Sequence, residues 1–97
     1  MRTSFEWDPA KAASNKRKHG VSFETAVRVF TDSNALVEQE RIEDGEERWQ
    51  AVGIVEGSLM LAVAHTALEN DGGETIRIIS ARRADRKERR RYEEANG

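Results

Sequence analysis

The chain has 97 residues and no cysteine. Disulfides and thiolate metal sites are therefore excluded, although this absence does not identify a compartment. Its two histidines, His19 and His65, are far apart and show no HxxH or HExxH spacing. A zinc centre is not expected, and no motif calls for another metal or a cofactor. Aromatic residues make up 6% of the chain and apolar residues 37%, against 35% charged. The core must be thin and much of the surface ionic. No run approaches the roughly 20 apolar residues of a membrane span. The start, Met-Arg-Thr-Ser-Phe-Glu-Trp-Asp, lacks the apolar stretch of a secretory signal. A cytoplasmic protein with one domain over residues 1–97 is the expectation. At this size, a partner or a second copy often completes the fold.

Charge is abundant and unevenly distributed. Residues 77–97 hold eight of the sixteen Lys and Arg against four acids, +4. Residues 1–76 hold eight bases against fourteen acids, −6, so the formal net charge of −2 hides a strong polarity. A basic end on an acidic body points to a polyanion partner, most simply nucleic acid. The structural alternative is a charged helix kept soluble by its own cations.

The periodicity divides the chain into short elements. Residues 2–7 alternate weakly, as a short strand would. Asp8-Pro9 opens a helix, with Asp8 as N-cap and the single proline at the first helical position, and Gly20 ends it. That helix offers only Ala10, Ala12 and Ala13 to a core. Lys16, Arg17, Lys18 and His19 crowd its last turn, where cations suit the helix dipole. Ser22 caps a second helix, Val21 and Ala26 are placed as a hydrophobic staple, and Phe23, Ala26, Val27 and Phe30 make one apolar face. From residue 35 the period becomes two. Strands are expected at 35–42, 48–56, 59–67 and 74–81, joined by turns at 43–46 and 56–58 and a looser connection at 68–73. Such short links imply an antiparallel meander. Leu59, Leu61 and Val63 alternate with Met60, Ala62 and Ala64, so large side chains lie on one face. The helices are expected on that face, leaving the small-residue face open. Asp85 and Glu88 have capping-box spacing for a last helix over 85–95. With only Tyr92 and Ala95 apolar, it reads as a cationic helix tethered mainly by Tyr92. Arg86, Lys87 and Arg89 oppose its dipole, offset in part by Arg89–Glu93 and Arg90–Glu94 pairs. The fold class is α+β: a four-stranded meander plus a short N-terminal strand, two N-terminal helices on one face and a C-terminal basic helix.

Several blocks together resemble a known family. Phe5-Glu-Trp-Asp-Pro-Ala-Lys-Ala-Ala-Ser-Asn-Lys-Arg-Lys-His-Gly-Val-Ser-Phe23 is similar to the opening of the BrnT family of bacterial toxins. Phe30 with Asp32, Gly45-Glu-Glu-Arg-Trp49, Gly53, His65-Thr66, Ile76-Arg-Ile-Ile-Ser-Ala-Arg-Arg-Ala84 and Glu88 with Tyr92 continue the likeness in order. It covers nearly the whole chain and is weakest at 70–73 and in the last residues. The resemblance implies a RelE-like ribonuclease fold and the toxin of a type II toxin–antitoxin pair, cutting RNA to arrest translation. It implies a BrnA-like antitoxin with a ribbon-helix-helix DNA-binding part, a heterotetramer of two toxins and two antitoxins, and repression of their own operon. DNA would then be reached only through the antitoxin.

Metal-free RNA cleavage uses the 2′-hydroxyl as nucleophile, a base, an acid and cations that stabilise the phosphorane. Arginine suits the phosphate because its planar fork donates two parallel hydrogen bonds. The candidates for the chemistry are Arg48, Arg77, Arg82, Tyr92 and His65. Arg82 leads them, because it has no acid beside it in sequence. The candidates for RNA contact are Arg83, Arg86, Lys87, Arg90 and Lys18. Each has a structural alternative. Arg77 would pair with an acid on strand 35–42, and Arg48 with Glu46 or Glu47. His65 would be a core-edge histidine, Tyr92 the anchor of the last helix, and Lys18 part of a dipole-neutralising cluster. Trp7 and Trp49 read as core or partner contacts. Two other functions compete: a non-catalytic module whose basic helix binds RNA or protein and, more weakly, a DNA-binding protein in its own right. No helix here has a groove-reading pattern.

Overall fold

A computed structural model describes residues 2–97. The elements run β1 (Arg2–Glu6), α1 (Pro9–His19), α2 (Phe23–Val27) with a 3-10 turn (Arg28–Thr31), β2 (Leu36–Glu43), β3 (Glu46–Glu56), β4 (Leu59–Asn70), β5 (Gly73–Arg83) and α3 (Arg86–Asn96). Five strands form one sheet in the order β1-β5-β4-β3-β2. Strands β2 to β5 are the expected antiparallel meander, and β1 joins β5 in parallel.

The local chemistry explains the boundaries. Asp8 accepts from the Ala10 amide at 2.9 Å, and Gly20, at φ 71°, closes α1. Ser22 accepts from the Thr25 amide at 3.1 Å, with Val21 and Ala26 both buried as the staple requires. Asp44 and Gly45, at φ 51° and 79°, form a two-residue primed turn between β2 and β3. The connection at 68–73 is tighter than expected: strand continues to Asn70 and resumes at Gly73. The Asn70 side chain accepts from the Gly72 amide at 3.2 Å and so organises the turn.

The main core lies between the sheet and the α1–α2 layer. Phe23, Ala26 and Val29 pack on Leu61, Val63, Ile78 and Ala81. Because α1 brings mainly alanine, it is held by hydrogen bonds as well. Strand β1 ends at Glu6 opposite Arg77, which leaves the rim of β5 beyond that point without a strand neighbour. The buried Asn15 side chain takes that place. Its amide donates to the Ala81 carbonyl at 2.8 Å and accepts from the Ala81 amide at 3.1 Å. It also donates to the Val21 carbonyl at 3.0 Å.

The small-residue face is not left open. Tyr92 of α3 packs there against Val52, Met60 and Ala62, and only 7% of it remains exposed. Helix α3 is also tied down by more than this tyrosine. Arg91 pairs with Glu38 on β2 at 3.4 Å, and Asn96 donates to the Asn34 carbonyl at 3.0 Å. Among the described residues the expected Arg89–Glu93 and Arg90–Glu94 pairs do not form. The helix spends its polar groups on contacts to the sheet and its connecting segments.

Candidate functional site

Strand alternation places Arg82 and Ser80 of β5 on the α3 side of the sheet, with Arg48 and Gln50 of β3, and an irregular step in β5 opposite Ala64/His65 brings Arg77 to the same side. Arg82 stands opposite Ala62, beside the start of α3. It does have an acid partner. Its two terminal nitrogens donate to the two Glu88 oxygens at 2.8 and 2.9 Å. Glu88 is six residues further on, beyond the reach of a strand-pattern reading, but the helical turn folds it back. It is 6% exposed, and it also accepts from the Asp85 amide at 2.9 Å and from Gln50 at 3.2 Å. The capping box is complete, because Asp85 accepts from the Glu88 amide at 2.8 Å. One carboxylate therefore caps α3, clamps Arg82 and binds β3. The Arg82 hydrogen bonds, against burial, hold the Glu88 carboxyl below its ordinary value. A polar cavity of about 440 Å³ opens here, lined by Glu38, Glu40, Gln50, Arg82, Glu88 and Arg91.

Further along the same face, Arg48 forms no ion pair among the described residues, while its neighbour Arg41 is engaged by Glu43 at 2.9 Å. Arg48 lies directly opposite Arg41 of β2 rather than beside Glu46 or Glu47. Like charges facing across a ladder destabilise it. The Arg48 Nε–H is buried without a hydrogen-bond partner. Arg77 lies opposite Thr66 and pairs with Glu6 of β1 at 2.9 Å, not with an acid on β2. The fold thus brings Arg48, Arg77 and Arg82 onto one face.

His65 lies apart from these arginines, whereas Tyr92 shares their face, packed against Ala62, which stands opposite Arg82. His65 is on the opposite face, 3% exposed, edge-on to Phe30 with centroids 4.9 Å apart. Burial pushes its pKa below 6.5, against a raising contribution from the Val63 carbonyl. It floors a second cavity, of about 470 Å³, with Phe30, Trp49 and Ile76 beneath a rim of Glu47, Glu69 and Glu74. The Tyr92 hydroxyl donates to Asp32 at 2.8 Å. Strand β2 starts at Leu36 opposite Val52, so the Ile54 amide lies beyond its end. Asp32 accepts that amide too, at 2.9 Å, and the Asn34 amide at 2.9 Å. Gly53 makes room, since a Cβ there would stand 3.1 Å from Asp32 Oδ2. Burial raises the Asp32 pKa, but the Ile54, Asn34 and Tyr92 bonds outweigh it, and the net shift is downward. Burial and then Asp32 push the Tyr92 hydroxyl up, which makes it a poorer acid at neutral pH.

The RNA-contact candidates separate. Arg86, Lys87 and Arg90 are exposed on α3. Arg83 stands opposite Leu61, so its side chain goes to the helix-pair side, away from Arg82. Lys18 is exposed at the end of α1. The site residues absent from the sequence reading are Glu88 as a clamp, Gln50, Glu38 and Glu40. The acidic alternation of 35–42 was a visible signal for the last two, whereas nothing local announced Gln50.

With this geometry in place, comparison with known proteins is decisive. Residues 7–88 match the family described as "Ribonuclease toxin, BrnT, of type II toxin-antitoxin system". The chain belongs to the BrnT toxin family. Among solved structures, it is similar to the crystal structure of the Brucella abortus ribonuclease toxin BrnT. That likeness has 25% identity and a TM-score of 0.64, over 89% of this chain and 100% of that one. No curated protein gives a significant match. The part matched to the BrnT family includes Arg48, Arg77, Arg82 and Glu88, while Tyr92 and most of α3 lie beyond it.

Proposed function

We propose that this chain is a metal-independent endoribonuclease with a RelE-like fold in a single domain, acting in the cytoplasm. The neighbouring 2′-hydroxyl gives up its proton and attacks the scissile phosphate, the bond from phosphorus to the 5′-oxygen breaks as that oxygen takes up a proton, and the cut RNA no longer supports translation. The observation that carries this reading is the shared face of Arg48, Arg77 and Arg82, where Arg41 faces Arg48 and the Arg48 Nε–H has no protein acceptor. A buried guanidinium N–H without an acceptor is costly, and a phosphate oxygen placed there removes that cost. Glu88 engages one edge of the Arg82 guanidinium and fixes its direction, and Arg82 still keeps its Nε–H for a substrate. Glu40, at the irregular step of β2 between Gln39 and Arg41, lines the same cavity and is the carboxylate suited to accept the 2′ proton. Arg83, Arg86, Lys87, Arg90 and Lys18 hold flanking phosphates.

The partner in this reading is a BrnA-like antitoxin of ribbon-helix-helix type. It forms a complex of two toxins and two antitoxins that represses its own operon. The non-catalytic reading draws on one observation: both terminal nitrogens of Arg82 are already bound to Glu88. Incubation of the purified protein with RNA in EDTA separates the two readings. Cleavage that persists in EDTA and is lost in Arg82→Ala supports the nuclease. Intact RNA at stoichiometric protein, with binding retained, establishes the binding module.

A further inference from the structure

Adjacent residues Arg82 and Arg83 send their side chains to opposite faces of β5, and only the first reaches the site above. The second lies at a groove of about 440 Å³ on the helix-pair side, at the end of the sheet where β5 stops. Lys16 and His19 come to it from the last turn of α1, Arg28 from the end of α2, and Arg83 from β5. Its one carboxylate, Glu56, is already engaged by Arg28 at 3.4 Å. Arg28 is itself fixed by donating to the Val55 carbonyl at 2.9 Å. Lys16 and Arg83 are exposed, and neither forms an ion pair among the described residues. The α1 dipole accounts for Lys16 and His19, but not for arginines that converge on them from two other elements. Three permanent cations around one engaged carboxylate leave the groove positive, and the hydroxyls of Ser22 and Thr25 line its wall.

We propose that this groove is an RNA backbone exosite. The strand passes around the end of β5, with its reacting phosphate on the Arg82 face and a phosphate further along held by Lys16 and Arg83. This rests on the ribonuclease reading, but its test does not need cleavage. The probes are 2′-O-methyl oligoribonucleotides, which lack the nucleophile, in two lengths: a trinucleotide too short to reach both faces and a dodecamer. Binding is read by fluorescence anisotropy between 50 and 200 mM salt, conditions chosen because phosphate contacts give a salt slope of about 0.7 per phosphate on single strands. The wild type should bind the dodecamer more tightly and with a steeper slope than the trinucleotide. In Lys16→Gln/Arg83→Gln, whose parent side chains are both exposed, the dodecamer slope should fall by about 0.7 for each phosphate released. The length advantage should shrink with it.

An unchanged dodecamer slope in the double variant overturns the exosite. So does an equal loss for both lengths. If the variant binds the dodecamer as the wild type does but no longer retains its antitoxin on a size-exclusion column, the groove is a protein dock and the RNA assignment fails. Failure of the ribonuclease reading appears separately, as a wild type that leaves unmodified RNA intact while the salt slopes still decide the groove.

Discussion

The two faces of the sheet hold their helices by different physics. On one, α2 and its 3-10 turn bury Phe23, Ala26 and Val29 against Leu61, Val63 and Ile78, and the attachment is largely apolar. On the other, α3 brings a single large apolar side chain, Tyr92, and is otherwise fastened by Arg82–Glu88, Arg91–Glu38, Tyr92–Asp32 and Asn96–Asn34. Apolar burial is indifferent to direction, so the first face contributes stability without fixing any particular donor. Hydrogen-bonded ion pairs are directional, so the second face fixes the orientation of Arg82 and leaves polar cavity space beside it. The same strands thus serve as core on one side and as a site on the other. The residues decide this by their alternation.

Phe23→Ala should give the largest effect. It empties a fully buried position on the apolar face and should cost about 3–5 kcal/mol. Chemical denaturation measures this. A loss below 1 kcal/mol would mean that the helix-pair face is not the principal core. On the other face, Arg82→Ala should lower RNA cleavage by about 10²–10³. It should also cost about 1–3 kcal/mol of stability, because Glu88 stays buried with fewer donors. Arg82→Lys keeps the charge without the fork and separates the two losses: stability should return further than activity. Tyr92→Phe should cost about 1.5 kcal/mol through the lost bond to Asp32, with cleavage retained. A collapse of cleavage at unchanged melting temperature would place the hydroxyl in the chemistry instead.

The smallest effects are those of pH, and the two faces should respond in different windows. His65 has a folded pKa below 6.5, so the unfolded chain takes up its proton first. Stability should therefore fall as pH drops from 6.5 toward the folded value. Glu88 and Asp32 are depressed below 4.5 and 3.8, so their contributions are present above those values and are lost as pH falls through the folded ones. Melting curves from pH 8 to 3 should show two separate declines. His65→Gln should flatten the upper one only.

The sequence made the elements legible because their signals are local. Asp8-Pro9, Gly20, Ser22 and the Asp85–Glu88 capping box act within a turn, and the alternation of 59–64 assigns faces without knowledge of partners. What escaped it depends on groups distant along the chain. Glu6 and Arg77 are 71 residues apart, Asn15 and Ala81 are 66, and Asp32 and Tyr92 are 60. The parallel placement of β1 belongs to the same class, since nothing in five residues records which strand they will meet. Alternation plus meander order puts Arg48 and Arg82 on one face, but Arg77, five residues before Arg82, joins them only through the irregular step of β5 opposite Ala64/His65. The separation of His65 from them follows from the same alternation. The grip of Glu88 on Arg82 required the direction in which α3 leaves the sheet.

Asn15 and Asp32 have a consequence for how the protein behaves in a crowd. An uncovered strand margin is a template on which another chain can add itself. At one margin, β1 stops short and the Asn15 amide occupies both hydrogen-bonding groups of Ala81. At the other, β2 starts late and Asp32 occupies the Ile54 amide. The rest of β2 is interrupted between Gln39 and Arg41 and carries Glu38, Glu40 and Arg41, charges that repel a copy of itself laid alongside. Two short polar side chains and one irregular strand thereby protect the end of β5, the end of β3 and the β2 edge from recruitment. Strand addition at those places should therefore be disfavoured even in a concentrated toxin.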